Sequence, residues 1–149
     1  MRKIEFRGKR PDNGEWVYGG IVVLPDKTVI LSESSNNNPL GSYTYKSHIV
    51  CVNTVGQYIG RVDKNGMEIY EGDIVQAYFK FSPGDAGYGV SQKPFVVTWD
   101  KLRASFRAHK PNIEHPHLLN TIDFIAIQSS LYEVIGNIHD NPELLKVKS

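Results

Sequence analysis

The sequence predicts a mostly-β protein: a single domain, residues 1–149, of antiparallel strands forming a bent sheet or small barrel. Two long loops and a short C-terminal helix complete the expectation. Three observations predict it. Short runs rich in β-branched and aromatic residues alternate apolar with polar, the period of a half-buried strand. Turn-forming clusters punctuate those runs, and the 149 residues hold thirteen glycines and eight prolines to build them. One stretch, Gln57 to Val75 (QYIGRVDKNGMEIYEGDIV), combines two such runs, an Asn-Gly turn and a second bend.

In that stretch Asp63-Lys64-Asn65-Gly66 separates Tyr58, Ile59 and Val62 from Met67, Ile69 and Tyr70. Asn-Gly tolerates positive φ at both central positions of a type I′ turn, whose twist suits paired strands. The spacing therefore predicts a hairpin of Gln57 to Val62 and Met67 to Tyr70. Gly72 and Asp73 predict a further bend, because glycine accepts positive φ and aspartate bonds nearby backbone N–H groups. Ile74 to Phe79 then resumes a strand. Asp63, Asn65, Glu68, Glu71 and Asp73 also supply oxygen donors. An EF-hand loop needs Gly at its sixth position and Glu at its twelfth, and neither falls there, so a structural turn is favoured over a calcium site.

The other elements follow in order. Arg2 to Arg7 alternates, with Ile4 and Phe6 on the predicted buried face and Lys3, Glu5 and Arg7 on the solvent face. Pro11 to Gly14 is a turn by composition. Trp16 to Leu24 is the returning strand, with Gly19-Gly20 marking a bulge or sharp bend. Thr28 to Leu31 is a short strand. Ser32 to Ser42 offers almost no apolar surface to offset the entropy of ordering, which predicts a loop. Tyr43 to Tyr45 resumes a strand-like run, and Ile49 to Val52 reads as a short buried strand. Ser82 to Pro94 is a second loop. Phe95 to Asp100 and Ala104 to Ala108 form a second predicted hairpin. Lys110 to His117 is irregular, Asn120 to Gln128 a predicted buried strand, and Tyr132 to Ile138 the last strand. Asn141-Pro142 is an N-cap followed by proline at the first helical position, predicting a helical turn or two through Leu145.

Composition excludes several function classes. A formal net charge of +1 gives no global field that steers the chain to nucleic acid or membrane. Cys51 is the single cysteine, so no internal disulfide forms; its apolar neighbours predict a buried structural thiol. That usage fits a reducing cytoplasm. The N-terminus lacks the apolar core of a signal peptide, and no apolar run is long enough to span a bilayer.

Motifs that carry chemistry are sparse, and no cofactor is implied. Gly84, Gly87 and Gly89 match neither a P-loop nor a dinucleotide loop. No Gly-x-Ser-x-Gly elbow occurs. His115 and His117, beside Glu114, would share one face of an extended segment and reach one ion. Catalytic zinc usually takes a third protein ligand, for which His109, His139 or Asp123 would have to serve. Two basic clusters stand out. Arg2, Lys3, Arg7, Lys9 and Arg10 open the chain, and Lys101, Arg103, Arg107 and Lys110 surround Phe106 on the second hairpin. Aromatics for stacking beside cations for phosphate suit a single nucleic-acid strand, with Arg7, Lys9, Arg10, Lys101, Arg103 and Arg107 as its candidate contacts. Balanced charge favours instead a solvated strand face. Eight tyrosines with Trp16 and Trp99 also suit a protein-binding patch or a β-sheet core.

Four blocks carry a family resemblance. Gln57 to Val75 resembles the signature of the YopX family, small proteins of bacteriophages and prophages. YEVIGNIHDNPELL (Tyr132 to Leu145) resembles its closing motif and FVVTWD (Phe95 to Asp100) its middle strand; IEFRGKR (Ile4 to Arg10) is a weaker match. The chain departs most between Ser32 and Ser42, Ser82 and Lys93, and Lys110 and Ser130. The resemblance implies a phage origin and a β-rich fold. It brings no established activity, so no catalytic residue is carried over. The expected function is therefore non-enzymatic binding of another macromolecule by a phage accessory protein, with a protein partner favoured over nucleic acid and homo-oligomerisation expected. The alternative is a small metal-dependent hydrolase using the His115 and His117 region.

Overall fold

A computed structural model describes residues 1–34, 44–80, 88–90, 94–110, 121–123 and 131–146. Twelve strands lie among them, all paired antiparallel in two open sheets, with no closed barrel. The chain divides into two units, Met1–Tyr58 and Ile59–Ser149.

In the first unit the strands are β1 (Phe6–Lys9), β2 (Trp16–Val23), β3 (Thr28–Ser34), β4 (Thr44–Val50) and the start of β5 (Gly56–Val62), in the order β4-β3-β2-β1-β5. The predicted turn at Pro11 to Gly14 joins β1 and β2, closed by Arg10 N donating to the Glu15 carbonyl at 2.9 Å. Strand β2 changes partner at Gly19-Gly20: Trp16 to Gly19 pair with β1, and Gly20 to Val23 pair with β3. The predicted bend is thus where one strand is handed between neighbours. At Gly19 φ is +152°, and a Cβ there would sit 1.9 Å from the Leu31 carbonyl oxygen. Ile30 and Val50 form the buried centre with Thr28 and Val29.

Four expectations change here. Ser32 to Ser34, predicted as loop, continue β3, because Thr44 to Lys46 of β4 pair with them; residues 35–42 lie outside the described residues. Ile4 is exposed and Arg7 buried, the reverse of the alternation, because the Arg7 guanidinium lies 4.7 Å over the Trp16 ring. A cation stacked on an indole loses water but keeps an electrostatic partner. In the run Ile49 to Val52 only Val50 is buried. Cys51 is exposed, because the chain leaves the sheet there for a 3-10 turn, Val52–Thr54.

In the second unit the remainder of β5 pairs with β6 (Glu68–Tyr70). A second sheet holds β7 (Asp73–Lys80), β8 (Tyr88–Val90), β9 (Phe95–Asp100), β10 (Ser105–His109), β11 (Thr121–Asp123) and β12 (Tyr132–Asn137). Its order is β11-β10-β9-β7-β12, with β8 also on β7. Ile69, Val75, Ala77, Phe95, Val97, Ala108 and Tyr132 form one buried core. The alternation of Phe95 and Val97 is the predicted strand pattern. The predicted strand Asn120 to Gln128 is described only over β11. The final predicted helix is a 3-10 turn, Pro142–Leu145, and Asn141 does not cap it; its side chain instead accepts from Asn137 N at 3.3 Å.

The adjacent glycines of β2 give a paired test. Gly19→Ala is expected to lower stability by about 3 kcal/mol or more, since backbone must move. Gly20→Ala, which meets nothing within 4 Å, is expected to change it by less than about 1 kcal/mol. Urea denaturation of both variants checks the contrast; equal midpoints would contradict the handover.

Candidate binding surfaces

Three of the four family-like blocks meet around the turn after β5 and the bend after β6. Only Gly66, φ +82°, has positive φ there, so the turn is not type I′. Asp63 replaces it. Its Oδ1 accepts from Asn65 N at 2.8 Å and Met67 N at 2.9 Å, and its Oδ2 accepts from Val134 N at 3.0 Å. Lys64 N donates to the Tyr132 carbonyl at 2.9 Å, so the turn grips β12 at two points. One bend later, Asp73 Oδ2 accepts from Tyr70 N at 2.7 Å. Gly72 N donates to the Val97 carbonyl at 2.8 Å, and the Gly72 carbonyl accepts from Ile138 N at 2.9 Å. Asp63 and Asp73 are both buried, and such carboxylates persist only when their lone pairs are met.

Beside this junction Lys64 Nζ lies 2.7 Å from Glu133 Oε2 and 4.1 Å from the centre of the Tyr78 ring. Tyr78 donates its hydroxyl to the same Glu133 oxygen. The bond to Glu133, then that to Tyr78, raises the Lys64 pKa; the bond from Lys64, then that from Tyr78, lowers that of Glu133.

The two basic clusters fall in different units, and each contains an acid that pairs with some of its cations. Arg7 stacks on Trp16, and Lys9 Nζ lies 5.7 Å from the same ring. Arg10 Nε donates to Asp12 Oδ1 at 3.0 Å, and Lys3 lies 3.1 Å from Glu5. On the β9–β10 hairpin, Asp100 accepts from Arg103 Nη1 at 2.9 Å and lies 3.8 Å from Arg107 Nε. Burial opposes ionisation of Asp100, but bonds from the Arg103 side chain and from the backbone of Arg103 and Leu102 outweigh it and lower its pKa. Lys101 is exposed at the hairpin tip, and Trp99 packs edge-on against Phe106 at 4.9 Å. Lys110 Nζ lies 6.0 Å from the Phe95 ring.

His115 and His117 lie outside the described residues. Burial lowers the pKa of His109 on β10, against the pull of Asp100. His109 pairs with Thr121 and Arg107 with Asp123, while His139 follows β12. Among the described residues no three His, Cys, Asp or Glu side chains are grouped to hold a metal. No helix among them is long and apolar enough to cross a membrane.

An apolar cleft in the first unit was not foreseen. Val23, Leu24, Pro25, Ile49 and Val52 line a volume of about 400 Å³ at the β2–β3 turn. Val23 is 72% and Val52 65% exposed. Asp26 and Lys27, 4.0 Å apart, sit on its rim with opposite charges. Strand patterning marks these residues as apolar but not as unburied, so the sequence held only half the signal.

The family profile described as YopX protein matches residues 5–146. The chain belongs to the YopX family. Among solved structures it is similar to protein EF1440 from Enterococcus faecalis, with 21% identity, a TM-score of 0.52, and coverage of 98% of this chain and 100% of that one. That likeness supports the fold. No curated protein matches the chain. Three of the YopX-like blocks therefore have a structural role in the second unit: the central stretch binds β9 through Val97 and the closing block through Val134 and Ile138.

The Glu133–Lys64 pair sets a pH window. Glu133, held below its ordinary 4.5, contributes stability that is present above that value and is lost as pH falls through its lowered folded pKa. Lys64, held above 10.5, contributes stability present below that value and lost as pH rises through its raised folded pKa. Glu133→Gln is expected to flatten the acid limb of urea midpoints measured from about pH 3 to 7, leaving a residue of slope from Asp100 and Asp12, whose carboxylates are also held below their ordinary range. An unchanged acid limb would contradict the pairing.

Proposed function

We propose that this YopX-family chain is a phage or prophage accessory protein that works in the host cytoplasm as one domain, by binding another macromolecule rather than by catalysis. Its partner is a protein, and the chain acts as a homo-oligomer. The observation that carries the protein reading is the apolar cleft of Val23, Leu24 and Val52, with its charge-balanced rim. Exposed apolar clusters with polar rims mark protein contacts, and a rim without net charge fits an uncharged apolar side chain of the partner. The local pairing of Arg10 with Asp12, and of Arg103 with Asp100, supports protein over nucleic acid. A phosphate-binding surface needs cations whose charge is not already offset.

The test compares capture from host lysate by the wild-type chain, by a Val23→Glu/Val52→Glu variant and by Lys101→Glu. A protein retained by wild type and Lys101→Glu, but reduced at least about tenfold in the cleft variant, is the expected result. Nucleic acid that co-purifies and is released steeply by salt would overturn the partner class. A metal or small molecule adding mass in a native spectrum, together with hydrolytic turnover lost in His115→Ala/His117→Ala, would overturn the non-enzymatic reading.

A further inference from the structure

Strand β4 is the outer strand of the first unit's sheet, and among the described residues no strand pairs with its outer edge. A free edge presents a row of backbone donors and acceptors. Natural proteins usually blunt such edges with proline, a bulge, an inward charge or a very short strand. β4 is seven residues long, TYKSHIV, with no proline, no glycine and an unbroken register against β3. Its alternate residues Tyr45 and Ile49 are 63% and 53% exposed on one side of the strand, with Ser47 between them. Lys46 is its one fully charged side chain.

We propose that β4 pairs antiparallel with β4 of a second copy of this chain, about a two-fold axis through Ser47. This rests on the homo-oligomeric part of the function proposed above and adds the strand and its register. Backbone groups point to the free edge from alternate residues only. A residue must therefore face one of its own parity, and the axis passes through a residue rather than between two. An axis through Lys46 sets like charges directly opposite, which is destabilising. An axis through Tyr45 sets that residue against itself, and one through His48 sets Ile49 against Ser47. The axis through Ser47 pairs Tyr45 to Ile49 with the same residues of the second copy. It sets Tyr45 against Ile49 of the second copy, twice, and aromatic with β-branched is a favourable cross-strand pair. It also places each Lys46 opposite a His48 rather than a second lysine. Ile49 also lines the cleft at the β2–β3 turn, so the pairing and the cleft share that residue, while Val23 and Leu24 belong to β2 and the turn after it.

The test uses the full-length chain with Cys51→Ser, which removes the exposed native thiol. In that background Ser47→Cys is expected to form a covalent dimer under mild oxidation. Lys46→Cys is expected not to, because it lies two residues out of register with its own copy, beyond disulfide reach. Ser47→Lys, at an exposed position, is expected to keep the wild-type circular dichroism and raise the dimer dissociation constant at least about tenfold in native mass spectra. A dimer that neither crosslinks through position 47 nor weakens with Ser47→Lys would overturn the β4 assignment and leave homo-oligomerisation standing. Equal crosslinking at positions 46 and 47 would overturn the register. A monomer at every concentration would overturn both.

Discussion

The buried Asp63 carboxylate is the constraint on which the second unit depends. A charge withdrawn from water is costly unless donors replace the lost hydration, and here three backbone N–H groups do so. Two come from its own turn and one from β12, distant in sequence. The hairpin and β12 therefore cannot shift independently without leaving an acceptor or a donor unmet. Asp73 repeats the device on a smaller scale at Tyr70, and the Gly72 backbone bonds both Val97 and Ile138. Packing then follows, because these ties place Ile69, Val97 and Tyr132 in one core. Direction comes from the hydrogen bonds, and most of the driving force from the apolar burial.

Much of this architecture was legible in the residues. Alternation located the β9–β10 hairpin, because Phe95 and Val97 bury one face of β9 and side chains in a strand alternate faces. The β1–β2 hairpin was located by the turn at Pro11 to Gly14, while the alternation before it put Ile4 inside and Arg7 outside. Gly19-Gly20 announced a break in β2. That the break is an exchange of partners was not legible, since pairing is set by strands far away in sequence. The Asn65-Gly66 turn was legible as a turn but not in type: the preceding Asp63 offers side-chain acceptors that favour a different geometry from the one the dipeptide prefers. Arg7 and Cys51 were misplaced for related reasons. Alternation assumes that charged residues face water, whereas Trp16 supplies Arg7 with a cover. An apolar neighbourhood in sequence assumes burial, whereas Cys51 stands where the chain leaves the sheet.

The candidate surfaces were less legible than the fold. The basic residues were evident as clusters, and so were the nearby acids Asp12 and Asp100, but only the turns show that those acids reach the arginines. The apolar cleft depends on which of many similar valines and leucines find a neighbour, and no local pattern records that. Family membership fixes the frame and leaves the partner open. The features that stand out among the described residues are therefore physical ones: an apolar cleft lined also by Asp26 and Lys27, and an outer strand without proline or glycine.

Amide hydrogen exchange of Asp63→Asn against the wild-type chain is the most direct measurement of the central claim. An asparagine keeps one acceptor oxygen for the turn but turns a donor toward Val134 N, or the reverse. The account predicts that protection of the Val134 amide, and with it Asn65 or Met67, falls at least about tenfold, while Ile30 in the first unit keeps its protection. Unchanged protection at Val134 would show that packing alone holds β12 against the turn, and would contradict the role given to Asp63.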